Sequence, residues 1–161
     1  MRALCFEVLL CTNTCVFLNT GGCCLGVDGA EVLVELITKM IPTLKVLSLE
    51  MAELEDDGVA KILSAFDDET DNVLEELRLS ENELEEASLD ALLNANLPKL
   101  RLLTLKDNME LEGLDDKKAE LKAKFSKTCI FINDDDEEEE IREDQDADVD
   151  ALADQLAGSA L

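Results

Sequence analysis

The six cysteines are the residues of this sequence best suited to chemistry, and five of them lie within the first 24 positions. Cysteine thiolates can bind zinc, form disulfides or act as nucleophiles. A structural zinc site calls for paired C-x-x-C spacing, and no two of these cysteines are separated by two residues. We therefore expect no metal site, and reduced, buried thiols that pack as small apolar side chains.

The complete absence of histidine removes the commonest catalytic arrangements. Without an imidazole the chain cannot form a Ser-His-Asp triad, a Cys-His nucleophile pair or a Cys2His2 zinc site. We expect no catalytic residue and no cofactor, and we predict that the protein is not an enzyme.

The charge of the chain is strongly negative, at −25. The 28 residues from Asp134 to Leu161 hold 13 acids and one base, so the tail carries about half of the net charge in a much shorter segment. This field repels phosphates and attracts basic protein surfaces, which argues against nucleic acid as a partner. No apolar run approaches the roughly 20 residues of a membrane helix, so we expect no membrane partner. Reduced thiols favour a cytoplasmic or nuclear location.

The elements that would position any binding residues form an internal repeat. Three segments follow the form LxxLxLxxNxL. Leu74 to Leu84 matches it in full, Leu44 to Leu54 has Ala52 in place of the asparagine, and Leu100 to Leu111 has one additional residue before its last leucine. Cys15 to Leu25 is an earlier copy, and Ile130 and Ile132 belong to a partial closing copy. Copies starting at 15, 44, 74, 100 and 127 are 26 to 30 residues apart, which is typical of long leucine-rich repeats.

Each repeat has a strand pattern followed by a helix pattern. In LxL the two leucines point into the core and the residue between them points outward. Apolar residues at helical spacing then follow each strand: Ala30, Leu33, Leu36 and Ile37; Val59, Ile62, Leu63 and Phe66; Leu89, Leu92 and Leu93; Leu114, Leu121 and Phe125. The pattern predicts an α/β leucine-rich repeat solenoid of the ribonuclease-inhibitor type, with one convex helix per repeat.

Three segments are expected along the chain. Residues 1–14 are predicted to be the helix of an upstream repeat, with Ala3, Phe6, Leu9 and Leu10 on one face, and the absence of a capping sequence suggests that upstream repeats are missing. Residues 15–133 form about four repeats and a closing strand. Residues 134–161 form an acidic, disordered tail with a short terminal helix that carries Val149, Leu152 and Leu156.

The candidate binding residues lie where side chains leave the concave face of the sheet. They are Glu50, Glu76, Arg78 and Lys106, accompanied by Ser48, Ser80 and Thr104, with Glu53, Glu81 and Asp107 at the turns that follow. A solvated sheet face without a partner is the alternative interpretation. Asn82 and Asn108 are predicted to be structural, because their amides can satisfy backbone groups of the neighbouring coil.

The repeats and the acidic ending together resemble Ran GTPase-activating proteins. The resemblance rests on DGA and DDGVA after the strands, on the closing repeat from Leu97 to Thr128, and on the ending DVDALADQLAGSAL. It covers the C-terminal repeats of that family and most of this chain. It implies a crescent-shaped protein that binds the GTP-bound form of a Ran-type small GTPase, with Ran-binding proteins or transport receptors as further partners, and that functions in nucleocytoplasmic transport.

Members of that family orient the GTPase's own catalytic glutamine instead of supplying an arginine finger, and their N-terminal repeats do this. One turn here, Gly21 to Gly26, is similar to a family turn that carries a functional asparagine, but Gly22 and Cys23 occupy the matching positions. The resemblance therefore implies a chain that binds partners without activating hydrolysis, in the cytoplasm or at a perinuclear or nuclear site. The alternatives are an acidic leucine-rich nuclear protein that chaperones histones or inhibits phosphatases, and a generic repeat scaffold for protein binding.

Overall fold

A computed structural model of the chain describes residues 15–67 and 71–132. Five three-residue strands alternate with four helices, so the predicted mixed α/β class is confirmed. The strands are β1 (Phe17–Asn19), β2 (Val46–Ser48), β3 (Glu76–Arg78), β4 (Leu102–Thr104) and β5 (Cys129–Phe131), and the helices are α1 (Gly26–Met40), α2 (Glu55–Ser64), α3 (Glu86–Asn94) and α4 (Asp115–Lys124). The predicted upstream helix at 1–14 and the acidic tail at 134–161 lie outside the described residues.

The five strands form one parallel sheet in chain order, β1-β2-β3-β4-β5. The pairing aligns the inward apolar residues in one row across the sheet. In this row each residue pairs with the next, in the order Leu18, Leu47, Leu77, Leu103 and Ile130. Each strand pairs with the next strand in the chain, and one helix lies in every connection between consecutive strands. This topology is compatible with an α/β solenoid.

The helices cover one face of this sheet and pack against each other in sequence, α1 on α2, α2 on α3, and α3 on α4. The buried face of α1 consists of Ala30, Leu33, Ile37 and Met40, which are spaced three or four residues apart. Acidic residues lie in the first turn of every helix, where the helix dipole favours negative charge.

The apolar core lies between the sheet and the helices. Leu47, Leu77 and Leu103 point into it from the strands. We call each strand together with the helix that follows it a unit, and Phe66, at the end of the second unit (β2 and α2), is completely buried. Leu36, Leu93 and Leu114, at the margins of the predicted apolar faces, are only half-buried. Alternation in the strands and helical spacing in the connections therefore locate the core correctly.

Two asparagine side chains join neighbouring turns at the carboxyl ends of the strands. Asn82 Oδ1 accepts hydrogen bonds from the backbone N–H groups of Ala52 (3.1 Å) and Leu54 (3.3 Å), and its Nδ2 donates to the carbonyl of Leu49 at 2.8 Å. Asn108 repeats this arrangement one unit later, accepting from Asn82 N at 2.9 Å and Leu84 N at 3.2 Å. These bonds provide partners for backbone N–H and C=O groups that form no hydrogen bond between strands.

The cysteines differ from the expectation that they are buried. Cys23 and Cys24 are exposed in the turn between β1 and α1, where Cys24 has φ +44°, and Cys15 and Cys129 are half-buried. The turn directs side chains outward, and Cys129 lies on the sheet face that has no helix over it. The prediction of buried thiols is wrong for Cys23 and Cys24 and holds only in part for Cys129 and for Cys15, which packs against the core. Cys5 and Cys11 lie outside the described residues.

Candidate protein-binding face

The candidate site is the face of the sheet opposite the helices, which we call the open face. Because strand side chains alternate, the residues flanking each inward leucine point to this side. Two rows cross the sheet in register, and a third row follows at the strand ends. The rows are Phe17, Val46, Glu76, Leu102 and Cys129; Asn19, Ser48, Arg78, Thr104 and Phe131; then Glu50, Ser80 and Lys106.

The centre of the open face carries paired charges. Arg78 Nη2 lies 3.0 Å from Glu76 Oε2, and both side chains remain partly exposed, at 41% and 31%. Ser48 Oγ donates to Glu50 Oε2 at 3.3 Å, and the ammonium of Lys106 lies 5.3 Å from the centre of the Phe131 ring. The sequence-predicted residues Glu50, Glu76, Arg78 and Lys106 therefore share one face of three adjoining strands.

Two polar groups on adjacent strands of the open face have unused hydrogen-bonding capacity. Arg78 Nε and Thr104 Oγ1 are shielded from solvent and lack a hydrogen-bond partner among the described residues. The two residues are direct neighbours in the β3–β4 register. Unpaired polar groups are unfavourable when buried. A partner that supplies a hydrogen-bond acceptor here therefore gains more binding free energy than on a surface whose polar groups are already hydrogen-bonded.

One edge of the open face is an acidic rim, formed by the turns that lead from strands into helices. Residues 50–57, 81–86 and 107–116 contain fourteen acids and no lysine or arginine. The predicted Glu53, Glu81 and Asp107 belong to this rim and are exposed. The acids of the rim are Glu50, Glu53, Glu55, Asp56, Asp57, Glu81, Glu83, Glu85, Glu86, Asp107, Glu110, Glu112, Asp115 and Asp116.

Five rim acids have a backbone conformation that usually favours glycine. Glu53, Glu55, Glu81, Glu83 and Asp107 have φ between +53° and +57°. A side chain in this left-handed region costs about 1 kcal/mol relative to glycine. The turns are thus less stable than they would be with glycine, and the carboxylates remain directed into solvent.

The opposite edge of the sheet, where helices lead into strands, is basic in three of its four loops. Residues 41–45, 95–101 and 125–128 contain four bases, Lys45, Lys99, Arg101 and Lys127, and no acid. Nearby, Lys124 Nζ donates to the carbonyls of Leu93 (2.8 Å) and Ala95 (2.6 Å) at the end of α3. Burial lowers the pKa of Lys124, although Asp67 opposes this effect.

A pocket of about 270 Å³ adjoins this basic edge. Leu97, Pro98, Phe125 and Thr128 line it, together with Lys124. The Lys124 ammonium is already bound to backbone carbonyls of α3, and Thr128 Oγ1 donates to the Leu100 carbonyl at 2.6 Å. The polar groups at the pocket therefore stabilise the junction between the third and fourth units.

The helix side of the molecule has one further polar cluster. Lys117 forms ion pairs with Asp90 and, at 3.8 Å, with Glu86. The hydrogen bond to Asp90 raises the pKa of Lys117.

Within residues 15–67 and 71–132, no three His, Cys, Asp or Glu side chains are close enough together to hold a metal ion. Within the same residues, no helix is long and apolar enough to cross a membrane.

Sequence reasoning missed the apolar part of the open face. Val46 and Leu102 occupy the same row as Glu76, and Phe17 is 57% exposed at the end of that row. The signal was present, because all three residues precede an inward leucine exactly as Glu76 does. The open face is therefore a mixture of apolar and charged side chains.

Comparison with known proteins leaves the function to be argued from the geometry. No family model matches the chain, and a search of curated proteins finds no significant match.

Proposed function

We propose that this chain is a leucine-rich repeat protein of the ribonuclease-inhibitor type that binds a Ran-type small GTPase through its open face and acidic rim, without activating GTP hydrolysis. The observation that carries this proposal is the pairing of a mixed apolar and charged sheet face with fourteen acids along one edge. Such a surface favours a folded protein partner with a basic patch. A cytoplasmic, perinuclear or nuclear role in nucleocytoplasmic transport is part of the proposal.

The lengths of the helices support the long-repeat class. Helices α1 to α4 contain 15, 10, 9 and 10 residues, so every strand-to-strand connection includes at least two helical turns. Acidic nuclear leucine-rich proteins have shorter repeats that rarely hold a full helix. The helix-containing connections therefore favour a GTPase-activator type of scaffold over a histone chaperone or phosphatase inhibitor.

The first turn supports binding without activation. Gly22, with φ +70°, and the exposed Cys23 occupy the positions that match the functional asparagine of the Ran GTPase-activating proteins, which this chain resembles. Neither residue has a side-chain amide that could orient a glutamine of the GTPase. We expect the rate of GTP hydrolysis by the bound GTPase to stay close to its intrinsic value.

Biolayer interferometry with the immobilised full chain tests the partner class. The analytes are Ran loaded with a non-hydrolysable GTP analogue, Ran loaded with GDP, and core histones. We expect the strongest binding with the GTP-analogue form and weakening as salt rises, because the rim contributes long-range attraction. Binding of histones alone would contradict the proposal and support the acidic nuclear class.

Single-turnover hydrolysis tests the second half of the proposal. Ran·GTP mixed with saturating chain should hydrolyse at a rate within about two-fold of Ran·GTP alone, since the chain contributes no group to the reaction. Acceleration by orders of magnitude would show that the chain supplies activating residues. An active fungal-type Ran activator serves as the positive control in the same assay.

A further inference from the structure

The basic edge of the sheet keeps its positive charge at the C-terminal end. Lys45, at the other end of this edge, is paired with Glu75 at 2.7 Å. Loops 95–101 and 125–128 contain no acid, and their three exposed bases form no ion pair with another residue of the described ranges. We call these three bases the basic corner: Lys99, Arg101 and Lys127.

The pocket of about 270 Å³ lies between the same two loops. Lys127 lines this pocket, and Lys99 lies between two of its lining residues in the chain. Half of the lining residues are apolar: Ala95, Leu97, Pro98, Leu100 and Phe125. Small-molecule sites usually enclose roughly 300–1,000 Å³, so this volume suits a single large side chain better than a cofactor.

Three polar groups at the pocket are already hydrogen-bonded within the protein. The Lys124 ammonium donates to carbonyls at the end of α3, and Thr128 Oγ1 donates to the Leu100 carbonyl at 2.6 Å. The Asn96 carbonyl accepts a hydrogen bond from Asn72 Nδ2 at 2.8 Å. A side chain that enters the pocket therefore finds few unused hydrogen-bonding groups, which favours an apolar side chain over a polar one.

The acidic rim is too far away to cancel the charge of the basic corner. The rim lies at the opposite ends of the strands, and the six residues of chain from Arg101 to Asp107 span about 20 Å when extended. This distance is more than twice the screening length of about 8 Å at physiological ionic strength. A ligand at the corner therefore interacts mainly with the three nearby cations.

We propose that the basic corner and its pocket bind an acidic peptide segment of a partner protein. One apolar side chain of the segment enters the pocket, and its carboxylates contact Lys99, Arg101 and Lys127. Apolar burial supplies affinity and the cations supply selectivity. A nucleic acid fits less well, because its continuous phosphate charge would extend beyond three cations onto a strongly negative chain.

This surface is separate from the open face and the acidic rim. The proposal does not depend on the identity of the partner at the open face, because it uses only residues of the opposite edge. The chain then carries two partner sites of opposite charge, one that attracts a basic protein surface and one that attracts an acidic segment. Such a chain can join two partners.

Isothermal titration calorimetry of the full chain with two short peptides tests the pocket. The first peptide has one leucine with glutamates on both sides, and the second has glycine in place of the leucine. We expect saturable binding of the leucine peptide. The glycine peptide should bind at least about ten-fold more weakly, because no apolar side chain is buried. Equal dissociation constants for the two peptides would contradict the role of the pocket.

Charge reversal tests the basic corner. The double variant Lys99→Glu, Lys127→Glu should bind the leucine peptide at least about ten-fold more weakly than the wild type. The double variant Lys39→Glu, Lys122→Glu is the matched control, because it makes the same charge change at exposed positions that do not line the pocket. Its dissociation constant should stay within about two-fold of wild type. Equal weakening in both variants would reduce the effect to net charge and refute the site.

Carbodiimide coupling followed by mass spectrometry locates the contact, because it joins an amine to a carboxylate that touches it. We expect cross-links from the leucine peptide to Lys99 or Lys127 in the wild-type chain. The proposal fails if the full chain shows no saturable binding, or if these lysines become linked only to acids of the chain itself. Displacement of the peptide by an equal concentration of a single-stranded oligonucleotide would identify a general polyanion site, and would equally overturn it.

Discussion

The two edges of the sheet differ in charge and satisfy their backbone groups with different chemistry, since the three turns of the rim are acidic and three of the four loops at the opposite edge are basic. Along the acidic rim, the neutral amides of Asn82 and Asn108 bind the backbone from inside, and the carboxylates point outward. Along the basic edge, the Lys124 ammonium itself binds the carbonyls that end α3. The difference shows that the lysine is used within the fold, whereas most carboxylates of the rim remain available to a partner.

This contrast also separates the rim acids that stabilise the fold from those that we propose to contact a partner. Asp56 Oδ1 accepts hydrogen bonds from the backbone N–H groups of Glu85 (2.8 Å) and Ser88 (3.1 Å), so this acid caps the N-terminal end of the next helix. Glu53, Glu81 and Asp107 are exposed in turns with positive φ and contribute no such cap. We expect the first kind of residue to affect stability and the second kind to affect binding.

The largest effect is expected when the amide interactions inside the acidic rim are broken. Asn82→Ala leaves the N–H groups of Ala52 and Leu54 and the carbonyl of Leu49 without their side-chain partner in a buried site. The free energy of unfolding of the full chain should fall by about 2–4 kcal/mol in urea titrations. Asn96→Ala, at an exposed position, is the control and should change it by less than about 0.5 kcal/mol.

At the basic edge, Lys124→Met keeps the apolar stem of the side chain but removes the ammonium that binds the end of α3. We expect a loss of about 1–2 kcal/mol, because the carbonyls of Leu93 and Ala95 lose a charged donor. Lys122→Met removes the same charge from an exposed position on the same helix and should have almost no effect. Equal unfolding midpoints for the two variants would refute the capping role.

A smaller loss is expected from the acid that caps the neighbouring helix. Asp56→Ala should lower the free energy of unfolding by about 1 kcal/mol, since the N–H groups of Glu85 and Ser88 lose their acceptor. Asp57→Ala is closely matched, because it removes the same charge from the next position of the α2 N-terminus. Circular dichroism should show a lower thermal midpoint for Asp56→Ala than for Asp57→Ala. Equal midpoints would contradict the capping role of Asp56.

A small gain should follow when the left-handed conformation of a rim acid is relieved. Glu83 has φ +57°, so Glu83→Gly should raise the free energy of unfolding by about 0.5–1 kcal/mol. Glu120→Gly makes the same exchange inside α4 and should lower it by about 1 kcal/mol. A destabilised Glu83→Gly variant would mean that the rim carboxylate contributes to folding after all.

Much of the fold was predictable because apolar residues follow two simple spacings in each unit. They recur every two residues in the strands and about every 3.6 residues in the helices. Leu47, Leu77 and Leu103 belong to the first pattern, and Leu33 and Ile37 to the second. These periods depend only on local geometry. They therefore locate strands, helices and core without knowledge of how the units stack.

The capping contacts were not predictable from the same patterns. Asp56 acts 29 and 32 residues away, and Lys124 acts 29 to 32 residues away, so each depends on the stacking of one unit on the next. The positive φ of Glu81 and Glu83 also has no local signal, because glutamate ordinarily favours the right-handed helical region. Tertiary packing imposes both features.

We propose that the open face, and not negative charge alone, selects the partner. The most direct test of this is the equilibrium dissociation constant of the GTP-analogue form of Ran for the Arg78→Glu variant of the full chain. Arg101→Glu, on the basic edge, makes the identical charge change at an exposed position away from the face. We predict at least about ten-fold weaker binding for Arg78→Glu and nearly unchanged binding for Arg101→Glu. Equal dissociation constants for both variants and the wild type would contradict it.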